Sequence, residues 1–277
     1  MSITPEEKKY LVEQIENLTS PRPLFYLKFC SCEKFAQDVC NGDLYGNTAE
    51  YFRRREIETG ERGQGDQFEL LLSIQTENIT VIDSETGNVV FTAPKGVLKT
   101  QFKEDDLIPI VSFVGIPLGD MEIIDADETH ADFKFPFTDD EYKTMTERFG
   151  EYCVILGARE VEARIAAYCN HFGCDYIFDK VEYCNQNRID RMQAFNKSAK
   201  ERFLYKNSYL DYQREYRLAV GIEMPEDHFI RIGKLSTAKV IKSDELKNLM
   251  ISISYSSYPR KIIRDNYTKD TRYNKEP

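Results

Sequence analysis

The sequence predicts a single domain of the α+β class with a mixed or antiparallel sheet at its core. Helix-like and strand-like segments interleave along the 277 residues without the regular alternation of a parallel α/β fold. A hydrophobic fraction of 41% and a charged fraction of 30% are typical of a globular protein. Because no proline- or glycine-rich linker divides the sequence, we expect one domain over residues 1–277.

The first half of the chain alternates between helix and strand signals. Thr4 is a cap for a predicted N-terminal helix within residues 1–20. The apolar run at 23–29 predicts a strand, and Ser31 and Gly42 delimit the helix that follows. The remaining predictions here are an extended piece at 43–47, a helix at 48–60 and strands at 68–74, 79–93 (a hairpin around "SETGN") and 107–116.

The second half is predicted by the same criteria. Helices are expected at 138–150, 158–170 and 188–205, with a short helix from Asp244. Strands are expected at 152–157, 176–184, 212–220, 228–233, 238–243 and 250–256. Residues 71–107 are predicted to form a β-rich elaboration, and residues 258–277 a basic tail.

The charge and hydropathy of the chain exclude some function classes. A net charge of −10 and a pI near 5.0 argue against broad electrostatic affinity for nucleic acid. No apolar run approaches the roughly 20 residues of a membrane helix, and the first residues are too charged for a signal peptide. We therefore expect a cytoplasmic protein with no membrane partner.

The seven cysteines fit reduced thiols better than a disulfide framework, since no secretion signal is present. Cys169, His171, Cys174 and Cys184 cluster closely enough to suggest a structural zinc site. Cys169 and His171 are only two positions apart, however, and paired short ligand spacings are missing. We therefore expect free thiols here and no bound metal.

The strand "YQREYRLAV" (212–220) has an unusual polar face. Because alternate side chains of a strand share one face, Gln213, Glu215 and Arg217 are predicted to stand side by side, with Tyr216 on the opposite face. A cross-strand ion pair at a sheet edge is one interpretation. The other is a binding or catalytic face.

A second group of charged residues lies in "TAEYFRRREIETGERGQGDQFE", and its members are Glu50, Arg54, Glu56, Arg62, Asp66 and Glu69. A solvated helix and loop is one interpretation, in which Asp66 and Glu69 pair with Arg62 or Arg54. A metal-dependent nuclease is another, since a hard cation needs converging carboxylates, here Glu50, Glu56, Asp66, Glu69 and Glu215.

A set of short motifs in this chain resembles a broad group of uncharacterised bacterial and phage-linked domains. In order, the motifs are "FYLKF", "NGDLYGNTAEYFR", "RGQGDQFE", "VSF" and "YKNSYLDYQREYRL", and they span roughly residues 24–235. Members are often found near abortive-infection and phage-defence genes. Their late strand is similar to the (Gln/Glu)-x-Glu strand of ADP-ribosyltransferases, so the resemblance implies an ADP-ribosyltransferase-like fold and a defence toxin that consumes NAD.

The resemblance also implies roles for individual residues. Glu215 matches the glutamate that holds the nicotinamide ribose and stabilises the sugar cation, and Gln213 matches the position that orients the acceptor. Lys28 lies nearest to the His or Arg that contacts the NAD ribose or phosphate. Tyr45 or Tyr51 corresponds to the aromatic residue that stacks on nicotinamide.

The proposed chemistry agrees with the residue types present. Cleavage of the nicotinamide–ribose bond passes through an oxocarbenium-like state, as glycoside hydrolysis does, and it needs one placed carboxylate rather than a histidine or a metal. Arg217 either fixes Glu215 or meets a pyrophosphate, and Lys206 is assigned with Lys28 to the dinucleotide. We expect NAD as the substrate, with no metal.

Partners follow from the same resemblance. The acceptor of ADP-ribose is a protein, a nucleic acid, a small molecule or water, and a cognate regulatory protein is expected for a toxin. The alternative function is a nucleotide- or partner-binding module that kept the fold and lost the chemistry.

The basic tail at 258–277 is expected to be solvated, or else to contact nucleic acid or a partner through Tyr267 and Tyr273.

Overall fold

The computed structural model describes residues 22–60, 63–126, 130–197 and 199–254. They form a mixed α+β structure with several antiparallel sheets, which confirms the predicted class. The predicted N-terminal helix and the basic tail lie outside the described residues. The chain divides into two compact units: unit 1 comprises Met1–Cys40, Gly115–Glu162 and Leu235–Pro277, and unit 2 comprises Asn41–Val114 and Ala163–Lys234.

The helices and strands are named in chain order. The helices are α1 (Glu33–Cys40), α2 (Ala49–Thr59), α3 (Asp139–Phe149), α4 (Ala158–Phe172) and α5 (Ile189–Asn196). The strands are β1 (Pro23–Cys30), β2 (Asp43–Tyr45), β3 (Leu72–Ile82), β4 (Val89–Thr100), β5 (Ile110–Pro117), β6 (Glu122–Ala126), β7 (His130–Lys134), β8 (Tyr152–Gly157), β9 (Tyr176–Lys180), β10 (Glu182–Tyr183), β11 (Tyr205–Lys206), β12 (Glu215–Val220), β13 (Phe229–Arg231), β14 (Lys239–Lys242) and β15 (Met250–Ser254).

Unit 1 contains two antiparallel three-stranded arrangements. In the first, β8 lies between β1 and β14, and Leu27 and Val154 are completely buried. In the second, β7 lies between β6 and β15. Helix α3 begins at a capping box, because Thr138 accepts a hydrogen bond from the Glu141 amide while the Glu141 carboxylate accepts one from Thr138.

Unit 2 is built around β12, which pairs antiparallel with β5 on one side and β9 on the other. All six residues of β12 are buried. Phe113 and Phe178 pack edge to face with their ring centroids 5.6 Å apart, on the strands that flank it. On the other face, Ala219 packs in an apolar cluster with Ala49, Leu70, Ile110 and Phe203. The centre of unit 2 is therefore buried and closely packed.

A two-stranded hairpin, β3–β4, covers most of the segment predicted as a β-rich elaboration. Its turn lies at the predicted "SETGN", where Asp83 accepts hydrogen bonds from the amides of Glu85 and Thr86. Most side chains beyond the base are exposed, including Val90 at 68% and Phe91 at 56%. Leu72, at the base, is buried.

Several predicted boundaries differ from the structure. The strand predicted at 68–74 begins only at Leu72, because Leu70 has a positive φ of 48° in the turn before it. The single helix predicted at 188–205 is replaced by α5, a 3-10 turn at Lys200–Leu204 and β11. The strand predicted at 176–184 divides into β9 and β10, which belong to different sheets. Strands β6 and β7 were not predicted.

The strand predicted at 212–220 also starts late. Residues Ser208–Gln213 form a 3-10 turn, and Arg214 adopts the left-handed conformation with φ 45° and ψ 40°. Strand β12 therefore begins at Glu215, and Gln213 is not part of it. Among the described residues, no helix combines the length and the apolar character that crossing a bilayer requires.

Candidate functional site

Glu215 and Arg217 lie on one face of β12, as predicted. They are 3% and 1% exposed, and across the sheet Arg217 stands opposite Ser112 of β5. Burial of two charged side chains in the middle of a sheet is costly unless each finds partners. The contacts of these two residues therefore define the candidate site, which lies entirely in unit 2.

Both carboxylate oxygens of Glu215 accept short hydrogen bonds. Ser112 Oγ donates to Oε1 at 2.6 Å, and Arg217 Nε donates to the same oxygen at 2.9 Å. Lys206 Nζ donates to Oε2 at 2.8 Å. The backbone amide of Glu215 donates to the phenolic oxygen of Tyr183 at 2.9 Å. Glu215 is therefore held in one orientation by strands β5, β10, β11 and β12 itself.

The environment keeps Glu215 ionised. Burial by itself would raise the pKa of its carboxyl group, but the charges of Arg217 and Lys206 and the hydrogen bonds from Lys206 and Ser112 outweigh burial. The pKa of Glu215 therefore lies well below its usual range. A carboxylate fixed in a dry interior is the group that could oppose a developing positive charge.

Arg217 connects Glu215 to a second carboxylate. Its Nη1 and Nη2 donate to the two oxygens of Glu69 at 2.5 and 3.1 Å, and Nη1 also donates to the Phe203 carbonyl at 2.8 Å. Burial by itself would lower the pKa of the Arg217 guanidinium. The charges of Glu215 and Glu69 outweigh burial, so that the pKa of Arg217 is raised. Glu69 therefore binds Arg217, whereas Arg54 pairs with Glu58, and Arg62, the other arginine suggested for Glu69, lies outside the described residues.

Gln213 reaches the same cluster although it is not on β12. Its Oε1 accepts from Lys206 Nζ at 2.9 Å, and its Nε2 donates to the Gly63 carbonyl at 2.9 Å. Three polar side chains of the late motif, on Gln213, Glu215 and Arg217, therefore belong to one network. Lys206 is the link between the amide and the carboxylate.

The loop that carries Glu69 is fixed on helix α2. A Cβ at Gly65 would lie 2.4 Å from the Glu56 backbone nitrogen, so only glycine permits this close approach. The Glu56 carboxylate, buried, accepts from the Gln67 amide at 2.7 Å and from its side chain at 2.9 Å. Arg53 Nη1 donates to the Glu69 carbonyl at 2.7 Å. These contacts place the Glu69 carboxylate at Arg217.

Asp66, in the same loop, is 2% exposed. Burial and the neighbouring Glu69 carboxylate raise its pKa to about 6, against opposing contributions from Lys206, Arg217 and the Phe68 amide. Asp66 therefore exchanges a proton near neutral pH, unlike Glu215.

Replacing Asp66 with asparagine should stabilise the protein at high pH. In the folded state the pKa is raised above its ordinary value of 3.8, so the stability that the protonated form contributes is complete below about pH 4 and is lost as pH rises through about 6. The stability that is lost over this pH range corresponds to about 3 kcal/mol at most. Urea unfolding of Asp66→Asn should therefore show a gain over the wild type at pH 8 that disappears at pH 4.

Asp140→Asn, an exposed acid on α3, is the control for loss of a carboxylate. A gain at pH 8 that is equal for Asp140→Asn and Asp66→Asn would contradict a raised pKa at Asp66. So would a gain for Asp66→Asn that is as large at pH 4 as at pH 8.

The other predicted ligand residues belong to strands β1 and β2 and to helix α2. Lys28 belongs to unit 1, on β1 opposite Val154. In unit 2, Tyr45 on β2 is 48% exposed and stacks on His228, with ring centroids 5.5 Å apart. Tyr51, on α2, packs edge to face on Phe52. The predicted roles of Lys28, Tyr45 and Tyr51 toward NAD stay predictions.

Three acidic residues of the nuclease interpretation, Glu56, Glu69 and Glu215, are bound by other side chains. Glu69 and Glu215 are separated by the Arg217 guanidinium, to which both are bound, and Glu56 holds Gln67. Within residues 22–60, 63–126, 130–197 and 199–254, no group of three or more His, Cys, Asp or Glu side chains has the arrangement of a metal site. All seven cysteines are free thiols, and Cys174 Sγ donates to the Cys169 carbonyl at 3.8 Å.

Two contributors were not identified from the sequence. Ser112 lies in the quoted "VSF" motif, but its role depends on the pairing of β5 with β12. Arg191, on α5, is 1% exposed and lies in a segment that was interpreted only as helical.

Comparison with family models, with curated proteins and with solved structures finds no match to this chain. The contacts described above therefore carry the functional argument by themselves.

Proposed function

We propose that unit 2 carries an NAD-consuming site of the ADP-ribosyltransferase kind, acting as a transferase or a glycohydrolase in a phage-defence toxin. One observation supports this proposal above the others. The motifs "RGQGDQFE", "VSF" and "YKNSYLDYQREYRL", which are widely separated in sequence, supply Glu69, Ser112 and Glu215 to a single buried network.

Within this proposal each side chain has a physical task. Ionised Glu215 opposes the positive charge that develops on the ribose as nicotinamide leaves. Its three hydrogen bonds leave room for about one more, since a carboxylate offers about four acceptor positions. Ser112 and Arg217 fix the carboxylate, and Gln213, joined to it through Lys206, orients the acceptor.

The second candidate is a nucleotide- or partner-binding module without catalysis. The observation in its favour is that Lys206 and Arg217 already neutralise Glu215 in this structure. A carboxylate paired with two cations opposes a sugar cation less strongly than a free one does. The contacts of Glu215 are thus also those of a structural ion network.

Incubation of the full chain with NAD separates the two candidates. We expect release of nicotinamide, measured by chromatography, together with free ADP-ribose or a protein whose mass has increased by one ADP-ribose. The same chain denatured in urea and diluted into the assay serves as the blank. Binding of NAD without nicotinamide release would favour the second candidate, and neither binding nor release would overturn the proposal.

A further inference from the structure

Arg191 is a buried cation whose charge has no direct counterion. It lies on α5, which begins with the exposed Ile189, and its own side chain points into unit 2 with 1% exposure. Among the described residues it makes no ion pair. Full burial of an unpaired guanidinium is unusual, because a charge removed from water costs several kcal/mol unless partners replace the water.

The hydrogen bonds of Arg191 are weak. Nη1 approaches the Cys184 carbonyl and Asn207 Oδ1, both at 3.4 Å, which is beyond the usual range for this bond. Its Nε is enclosed and has no hydrogen-bond partner. Asn207 Oδ1 is in addition shared with the side chain of Gln186, which donates to it at 3.0 Å.

Two other buried arginines in the described part of unit 2 show what Arg191 lacks. Arg202 grips Asp105 with two hydrogen bonds of 2.7 and 2.5 Å, and Arg217 binds Glu69 and Glu215. Burial lowers the pKa of the Arg191 guanidinium, because it disfavours the charged form. The negative charges of Asp66 and Glu69 favour the charged form of Arg191, but neither carboxylate is in contact with it.

Arg191 also lies next to the charged network in the fold. Its partner Asn207 directly follows Lys206, whose ammonium binds Glu215. Its other partner, Cys184, directly follows Tyr183, whose hydroxyl oxygen accepts a hydrogen bond from the Glu215 amide. The Cys184 amide in turn donates a hydrogen bond to the Lys206 carbonyl. The short β10–β11 ladder therefore joins the Arg191 guanidinium to the Glu215 carboxylate.

We propose that Arg191 is the phosphate-binding residue of unit 2 and pairs with the pyrophosphate of the bound nucleotide. The inference rests on the proposed function and deepens it by naming this contact. Lys206 and Arg217, which the sequence assigned to the dinucleotide, are already neutralised by carboxylates. Among the described residues Arg191 has no ion-pair partner and its Nε has no hydrogen-bond acceptor, and its planar fork matches two oxygens of a phosphate.

Inorganic pyrophosphate is the probe that tests this contact without requiring turnover. We expect millimolar pyrophosphate to raise the melting temperature of the full chain and to bind measurably by calorimetry. Arg191→Gln, which keeps a polar group but removes the charge, should weaken that binding by about ten- to a hundredfold. Arg188→Gln removes an exposed cation three positions earlier, and it should bind pyrophosphate like the wild type.

Each alternative result is decisive. If the wild type does not bind pyrophosphate, or if Arg191→Gln binds it as tightly as the wild type, the proposal is overturned. If Arg191→Gln does not fold, amide hydrogen exchange of the wild type decides instead. Pyrophosphate should then slow exchange in α5 and in residues 183–184 and 205–207, and unchanged exchange in those segments overturns the proposal.

The assay for NAD distinguishes this proposal from the proposed function. Pyrophosphate binding that depends on Arg191, without nicotinamide release, would overturn catalysis and leave the anion site intact. Nicotinamide release that is unaffected by Arg191→Gln at subsaturating NAD would overturn the anion site and leave catalysis intact.

Discussion

Glu215→Gln should reduce nicotinamide release from NAD by a factor on the order of 10² to 10³, the usual effect of removing one preorganised charged group. The amide keeps the shape of the side chain but cannot oppose the charge on the ribose. Initial rates of nicotinamide release at saturating NAD measure the effect. Gln213→Ala should instead lower transfer to an acceptor more than release of nicotinamide, because its assigned role is orientation.

The Glu215→Gln substitution also lowers stability, and this effect needs a control. Without the Glu215 carboxylate, Lys206 loses this ion pair and Arg217 keeps Glu69, and breaking a buried pair in this way costs about 3–5 kcal/mol. The double variant Glu215→Gln with Lys206→Met restores the charge balance. It should recover stability but not activity. A double variant that regained the wild-type rate would show that Glu215 is not the catalytic carboxylate.

Arg217→Met should strongly destabilise unit 2. It leaves Glu69 and Glu215 buried without their shared cation and removes the hydrogen bond to the Phe203 carbonyl. We expect the free energy of unfolding in urea to fall by about 3–5 kcal/mol. This is a large fraction of the roughly 5–15 kcal/mol that stabilises a typical domain.

Arg54→Met is the matched control on the surface. Arg54 pairs with Glu58 at 3.5 Å on α2, and both side chains are more than 60% exposed, so its loss should cost less than about 1 kcal/mol. Arg217→Lys keeps the charge without the planar fork, and it should fall between the two. Similar losses for Arg217→Met and Arg54→Met would contradict a structural role of the buried network.

The parts of the fold that could be predicted are those specified by local chemistry. Thr138 and Glu141 form a capping box that marks the start of α3, and the "SETGN" turn marks the β3–β4 hairpin. The start of β12 was misplaced, because the alternation of "YQREYRLAV" does not reveal that Arg214 adopts a left-handed conformation. A 3-10 turn has no hydrophobic period that would distinguish it from a strand.

The candidate site could be predicted only as far as one strand extends. The i, i+2 spacing places Glu215 and Arg217 on one face, and they are found there. That Arg217 binds Glu69 requires a contact between residues 148 positions apart, which local sequence does not encode. The isolation of Arg191 is a property of the folded interior. Nearby in the sequence, the exposed Arg188 and the half-buried Asp190 are paired with each other.

The β3–β4 hairpin has a consequence for how the molecule opens. Among the residues that the structure describes, no third strand joins this sheet, and an isolated two-stranded hairpin is only marginally stable in water. The hairpin is anchored at its base, where Leu72 is buried and the Ser73 amide donates to Gln186 at 3.0 Å. Its tip should therefore fray as a separate cooperative segment, and a protease should cut at residues 83–88 before any other part of unit 2 is cleaved. The nicked protein would keep the Glu215 network intact.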